Sequence, residues 1–237
     1  MKYLTIDTSS VTASVGLVDA ETDKVLSECF VDVPLTHSQT VLPMTQSVLS
    51  QAGVSFDDVD CIAVCSGPGS FTGVRIGVAA AKGLGFEKDL PTASVSTLEA
   101  LSLNFDGVPC NAVICAVMDA RCRQVYTASF SCEDGVITRL TPDEAMSIDD
   151  CKTALKALSR PVVFVGDGAQ LCYDACKDEL DCVAAPSPLR YVRPRGVALA
   201  ARSLASQDKL IPASQLQPTY LRLPQAEREL RAKQGLK

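Results

Sequence analysis

The chain of 237 residues is 47% hydrophobic, which is enough apolar sequence for one large core or two smaller ones. Its formal net charge of -6 argues against a surface that attracts nucleic acid or anionic membranes as a whole. No stretch is apolar over the length of a membrane span, and the first residues do not have the pattern of a signal peptide. We therefore expect a cytoplasmic protein with no membrane partner.

The first half predicts three strands followed by a helix, a strand and a helix. Alternating or continuous apolar residues indicate the strands, and a four-residue apolar spacing indicates the helices. The predicted order is strands at 2–7, 11–19 and 24–32, a helix at 38–52, a strand at 61–65, a helix at 72–86 and a short strand at 92–95.

The same order begins again after residue 111. It gives strands at 112–118, 123–131 and 135–140, a helix at 149–158 capped by Ser147 or Asp149, and a strand at 162–165. The repeat predicts an α/β protein with two βββαβα domains in tandem and a cleft between them. The predicted domains are 1–105, completed by a helix at about 196–205 and the tail within about 192–237, and a smaller one at 106–191. The alternative is a single continuous sheet.

A glycine-rich run at 66–77, SGPGSFTGVRIG, joins a buried strand to a helix. Such a turn leaves backbone N–H groups free at the positive end of a helix, which suits a phosphate or a close backbone contact. The spacing matches neither G-x-G-x-x-G nor G-x-x-x-x-G-K-[ST], so neither a dinucleotide site nor a P-loop is predicted.

Polar residues follow the predicted strands at matching places in the two halves. The candidates for a vestigial nucleotide cleft, which would suit a magnesium–phosphate complex, are Asp7, Thr8, Ser9, Asp119, Arg121, Gly166, Asp167 and Gly168. The alternative is that Asp7 and Asp119 only accept hydrogen bonds from turn N–H groups and that 166–168 is an ordinary loop.

Small residues recur every four positions along the helix at 72–86, at Gly73, Gly77, Ala81 and Gly85. One interpretation is a partner interface that also uses Arg75 and the helix at 38–52. The apolar surface of that helix would come from Val41, Met44, Thr45, Val48 and Leu49. The alternative is that the stripe packs against the chain's own sheet or a neighbouring helix.

The eleven cysteines lie mostly in apolar runs and are expected to be small buried hydrophobes in a reducing compartment. There is no C-x-x-C, and His37 is the only histidine, so Cys172 and Cys176 are not expected to bind zinc. No nucleophile or orienting group identifies His37 as a catalytic base, and we predict neither a metal site nor a catalytic residue.

Several of these segments together resemble the TsaB family, also called YeaZ. They are Ile6-Asp7-Thr8-Ser9, His37-Ser38 with Leu42-Pro43, the run at 66–77, Asp119-Ala120-Arg121 and Pro218-Thr219-Tyr220-Leu221-Arg222. The resemblance implies the fold of the actin, sugar-kinase and Hsp70 ATPase (ASKHA, ribonuclease H-like) superfamily. It also implies a role in forming N6-threonylcarbamoyladenosine (t6A) beside the anticodon of tRNAs that read codons beginning with adenosine.

The resemblance further implies a subunit without activity of its own that works with the catalytic paralogue TsaD and the ATPase TsaE. In that family the helices of the first domain form the interface, with a second copy in isolation or with TsaD. ATP and magnesium would then act through the partners, and tRNA would be bound through the complex. Thr97 and Leu101 stand where TsaD-like proteins carry an H-x-x-x-H metal pair, so a metalloprotease is excluded. The alternative function is an ATP-dependent small-molecule kinase.

Overall fold

The computed structural model describes residues 1–33 and 36–222. The strands in this part of the chain are β1 Lys2–Asp7, β2 Ala13–Asp19, β3 Lys24–Val31, β4 Cys61–Gly67, β5 Pro91–Ser96, β6 Ala112–Asp119, β7 Gln124–Glu133, β8 Val136–Arg139, β9 Glu144–Ser147, β10 Val162–Val165, β11 Cys182–Ala184 and β12 Ile211–Pro212. The α-helices are α1 His37–Ala52, α2 Phe71–Phe86, α3 Thr97–Ser102, α4 Ile148–Leu158, α5 Ala169–Cys176, α6 Ser187–Arg190 and α7 Pro194–Ser206.

The first half of the chain builds a mixed sheet in the order β12-β5-β4-β1-β2-β3. β1, β2 and β3 are antiparallel neighbours, whereas β4 and β5 continue from β1 in parallel. Alternation along β1 sends Leu4 and Ile6 to one face, where they pack with residues of α1 and α2, and Tyr3 to the other. The two faces of this sheet are therefore both buried.

The second half builds another mixed sheet, β11-β10-β6-β7-β8, with β9 paired to β7. Its outer face packs against α4 and α5. Its inner face shares one large apolar cluster with the first sheet, and helices α3 and α7 contribute to that cluster. This shared core holds the two sheets together.

The prediction of an α/β fold is confirmed, with two mixed sheets, and the alternative of one continuous sheet is wrong. The predicted C-terminal helix is α7, which packs on the first sheet against β1, β2 and β5, as its apolar face requires. The domain boundaries at 105 and 191 stay a prediction. The tail that was assigned to the first domain lies outside the described residues from 223 onward.

Side-chain caps explain where several helices begin. The Ser147 hydroxyl accepts a hydrogen bond from the Asp150 N–H, so Ser147 rather than Asp149 caps α4. Ser70 caps α2 in the same way through the Gly73 N–H. Among the helices of residues 1–33 and 36–222, none is long and apolar enough to cross a membrane.

Candidate functional site

A cleft of about 470 Å³ lies between the two sheets. The first half contributes the loop after β1 and the start of α2, and the second half contributes the end of β6, the start of β7 and the loop after β10. The lining residues are Ser10, Val11, Gly69, Ser70, Phe71, Thr72, Met118, Asp119, Ala120, Arg121, Tyr126, Asp167, Tyr191, Tyr220 and Arg222. Of the eight residues predicted for a nucleotide cleft, three line it: Asp119, Arg121 and Asp167.

Asp119 and Asp167 meet on the second-half wall of this cleft. One Asp167 oxygen accepts the Asp119 N–H at 3.0 Å, and Asp119 in turn accepts the Arg121 N–H at 2.7 Å. Burial raises the pKa of Asp167 to about 6, and the charges of Asp119 and Asp7 act in the same direction. Ionisation of Asp167 beside Asp119 on this wall is therefore disfavoured.

We expect Asp167→Asn to stabilise the fold at neutral pH, since the amide oxygen can still accept the Asp119 N–H. Because the folded-state pKa of about 6 lies above the ordinary 3.8, ionised Asp167 destabilises the folded state increasingly as pH rises between those values. The expected gain is about 3 kcal/mol at pH 7.5 and roughly half of that at pH 5. Urea unfolding of both proteins at the two pH values measures it, and an equal gain at both would contradict the assigned titration.

Asp7, Thr8 and Ser9 were predicted to face the cleft, and this is wrong. All three are buried beneath its first-half wall, with at most 1% of their surface exposed. One Asp7 oxygen accepts the Ser9 N–H at 3.1 Å, and burial raises the pKa of the carboxyl. The Thr8 hydroxyl donates to the Gly73 carbonyl at 2.7 Å. Thr8 and Ser9 therefore tie the end of β1 to the start of α2.

Gly166 and Gly168 are also buried, so their assignment to the cleft is wrong as well. A Cβ at Gly166 would lie 2.1 Å from the Val117 carbonyl oxygen, and its φ of +111° favours glycine. The Gly168 N–H donates to that same carbonyl. The two glycines let the loop after β10 pass close to the end of β6, and this contact is what presents Asp167.

The backbone of the glycine-rich turn makes its close contacts with other segments of the same chain. The Ser70 N–H donates to the Ser9 carbonyl at 2.7 Å, and a Cβ at Gly69 would lie 2.4 Å from that oxygen. On its other side the Thr219 N–H donates to the Ser66 carbonyl. The close-backbone-contact interpretation of this turn is therefore the one that its geometry supports.

Aromatic residues at the cleft were missed in the sequence. Three of the five tyrosines, Tyr126, Tyr191 and Tyr220, line it. The Arg75 guanidinium lies 3.8 Å above the Phe71 ring and donates to the Tyr220 hydroxyl at 2.7 Å. This cluster ties the segment before residue 222 to the start of α2. In the sequence, only the segment 218–222, which contributes to the family resemblance, indicated that Tyr220 is important.

The small-residue stripe of α2 faces inward. A Cβ at Gly73 would lie 2.0 Å from the Thr8 carbonyl oxygen, at Gly77 2.5 Å from the Thr8 hydroxyl, and at Gly85 2.8 Å from Ala213. Ala81 is fully buried. The alternative of internal packing is therefore the one that the structure favours for the stripe.

The residues named for a partner interface need the same correction. Eight of the ten are buried within the chain: Val41, Met44, Thr45, Val48, Gly73, Gly77, Ala81 and Gly85. Leu49 is half-buried, and Arg75 is exposed. The apolar spacing marks the side of each helix that packs on the sheet, so a partner that docks on these two helices would meet the opposite faces.

Those opposite faces carry almost no charge. The exposed residues of α1 include Leu42, which is 48% exposed, and Pro43, and those of α2 include Ala79, Gly83 and Phe86. Apart from His37, neither helix carries an ionisable side chain except Arg75 and Lys82 on α2. The two helices lie side by side, so this surface is continuous.

His37 lies at the start of α1, where its Nε2 is 2.8 Å from the Ser10 carbonyl oxygen. It joins the helix to the loop that forms the cleft edge. Within residues 1–33 and 36–222, no three histidine, cysteine or acidic side chains are grouped so that they could hold a metal ion.

Comparison with known proteins identifies the family. The family model described as "TsaD: tRNA N6-adenosine threonylcarbamoyltransferase" matches residues 33–229. The chain is 34% identical over 230 residues to the tRNA threonylcarbamoyladenosine biosynthesis protein TsaB of Bacillus subtilis, with 96% of each chain covered. It is 31% identical to TsaB of Escherichia coli, over 99% of this chain and all of that one. The chain belongs to the TsaB (YeaZ) family.

A solved structure agrees with this assignment. The Pseudomonas aeruginosa protein described as similar to peptidase YEAZ has a TM-score of 0.79 at 26% identity and covers 93% of this TsaB-family chain and 99% of its own. Thr97 and Leu101, which the sequence resemblance matched to the histidine pair of TsaD-like proteins, are both buried in α3.

Proposed function

We propose that this TsaB-family chain is a non-catalytic subunit of the machinery that forms t6A in tRNAs reading ANN codons. Its role is to stabilise and orient a TsaD-like catalytic subunit through the exposed faces of α1 and α2. The observation that carries the proposal is the full-length similarity to TsaB proteins together with an uncharged surface on two adjacent helices.

The surface supports docking because charge is rare where proteins bury an interface core. Charged residues make up 21% of the whole chain. By contrast, α4 on the second half carries Asp149, Asp150, Lys152 and Lys156 within eleven residues, as a solvated helix normally does. The exposed apolar groups on α1 and α2 are Leu42, Pro43, Ala79 and Phe86, which a helical partner could cover.

The kinase alternative has less support from the geometry. Phosphoryl transfer needs positioned positive charge and free donors around the phosphates. Here the Ser70 N–H is used by Ser9, no lysine follows the glycine-rich turn, and Asp7 is buried beneath the cleft. We expect the chain alone to transfer no phosphoryl group. Micromolar ATP affinity of the isolated chain, measured by calorimetry, would favour the kinase alternative instead.

The remaining parts of the proposal follow from the family. ATP and magnesium enter through a TsaE-like ATPase and the TsaD-like subunit, and tRNA is contacted through the assembled complex. In isolation the same helix surface pairs two copies of this chain. The complex works in the cytoplasm, where tRNA is modified.

Depletion in the native organism tests this function. We expect loss of t6A from total tRNA nucleosides by mass spectrometry, and restoration by a plasmid copy. The variant Asp119→Asn/Asp167→Asn should restore t6A as well as the unaltered chain does, because the cleft carboxylates have no catalytic role in this proposal. Unchanged t6A after depletion contradicts the pathway, and failure of a folded double variant contradicts the non-catalytic role.

A further inference from the structure

Two cysteines meet where the chain passes from the first sheet to the second. Cys110 lies in the connection between the 3-10 turn Leu103–Phe105 and β6, and Cys132 lies in β7. Their Sγ atoms are 2.6 Å apart, and both are free thiols. Two sulfur atoms at that distance are close enough for a disulfide to form between them.

The backbone on both sides of the pair is fixed by hydrogen bonds. The Gly107 N–H donates to the Gly135 carbonyl at 2.8 Å, and the Asp134 N–H donates to the Asn111 side chain at 3.2 Å. The connection is therefore held against the turn between β7 and β8. The two thiols are close because this packing holds the connection before β6 beside the end of β7.

The two thiols differ in access. Cys132 is fully buried in the shared core, whereas Cys110 is partly exposed. A soluble oxidant therefore reaches Cys110 first, and Cys132 is in place to complete the reaction. This is the arrangement of an attacking and a resolving cysteine.

We propose that Cys110 and Cys132 are a modification site, a dithiol that low-molecular-weight disulfides such as oxidised glutathione convert to an intramolecular disulfide. The Cys110 thiolate, after losing its proton to solvent, attacks one glutathione sulfur and releases one glutathione thiolate. Cys132 then gives up its proton, and its thiolate attacks the mixed disulfide at the Cys110 sulfur and releases the second glutathione as a thiolate. The two released glutathione thiolates take up two protons, which balance the two lost by the cysteines. Two cysteine thiols are oxidised by two electrons, and one glutathione disulfide is reduced to two thiols.

The bond would join the connection between the sheets to β7. It closes a loop of modest length, which removes freedom mainly from the unfolded chain. Burial and the neighbouring Cys132 raise the pKa of Cys110 to about 12, so little thiolate exists at neutral pH. We therefore expect oxidation of the dithiol by glutathione disulfide to take hours rather than seconds. Reduction of the Cys110–Cys132 disulfide at the same pH should also be slow.

The experiment uses the full chain carrying Cys122→Ser. This change removes the one exposed cysteine in the described part of the chain, which would otherwise enter thiol–disulfide exchange. The protein is incubated with oxidised glutathione, alkylated and digested. We expect one cross-linked peptide joining Cys110 to Cys132, the loss of two alkylated thiols, and a midpoint of thermal unfolding raised by ~5 °C that dithiothreitol reverses.

Cys110→Ser in the same background is the control, since its position is partly exposed and tolerates a hydroxyl. It should show neither the cross-link nor the thermal shift. Separate alkylation of Cys110 and Cys132 after prolonged oxidation overturns the proposal. Stable glutathione on Cys110 without the cross-link also overturns it, because Cys132 would then have failed to resolve the mixed disulfide.

Discussion

Replacing Gly73 by alanine is expected to destabilise the fold by at least ~3 kcal/mol, which is a large part of the stability of an ordinary domain. The added Cβ would lie 2.0 Å from the Thr8 carbonyl oxygen, and the atom in the way is backbone. Relief requires α2 to move away from the end of β1. That movement would break the 2.7 Å hydrogen bond from the Thr8 hydroxyl to the Gly73 carbonyl.

Gly83→Ala is the matched control on the same helix. Gly83 is exposed, and a Cβ there meets nothing within 4 Å. Alanine should stabilise the helix by about 0.5–1 kcal/mol, since it restricts the unfolded chain and suits the helix. Urea unfolding measures both variants. Equal effects of the two substitutions, or a stable Gly73→Ala protein, would show that the stripe does not pack as described.

The same consideration changes what a larger substitution at Gly77 tests. If the stripe were a partner surface, Gly77→Leu would be a natural probe of docking. A Cβ at Gly77 would lie 2.5 Å from the Thr8 hydroxyl oxygen and close to Val64 and Ile6. A leucine side chain there would therefore disrupt the interior. Loss of partner binding by this variant would report unfolding rather than docking.

The fold was predictable because its signals are local. Alternation and four-residue spacing depend on neighbouring residues, and they located β1, β6 and α4 within one or two positions. The short elements α3, α6 and β12 carry too few residues for a periodic pattern. Their conformation is fixed by packing against the two sheets, which the sequence does not display.

The site was less predictable because burial is a tertiary property. Asp7 and Asp119 follow equivalent strands, and each accepts a turn N–H two residues later. Only Asp119 lines the cleft, because Asp7 is buried beneath its first-half wall. Tyr191 and Tyr220 come from distant parts of the chain, and no spacing rule connects them to Tyr126.

Helix faces show the same limit. The apolar spacing of α1 and the small stripe of α2 identify a face that must be covered, but not by what it is covered. Here the chain's own sheet covers both, and the proposed partner surface is marked instead by the near absence of charge on the opposite faces. That absence is visible in the sequence only once the inward face is known.

A glutamate on this surface is expected to weaken docking strongly while leaving the fold intact. Ala79 is exposed on α2 between Arg75 and Gly83, one turn of helix from each. Ala79→Glu would bury a carboxylate in an apolar contact, which costs about 2 kcal/mol or more and weakens binding by ~30-fold or more. The measurement is the dissociation constant for TsaD from the same organism, by calorimetry, with the oligomeric state of the isolated chain by light scattering.

Ala154→Glu makes the same chemical change on α4, on the charged surface of the second half, where Ala154 is also exposed. It should leave both the TsaD affinity and the oligomeric state unaltered. Circular dichroism and unfolding midpoints for the two variants separate docking from folding, since neither side chain enters the core. Equal TsaD binding by the two glutamate variants would move the docking surface away from α1 and α2. The t6A assay would then decide whether the pathway assignment stands without it.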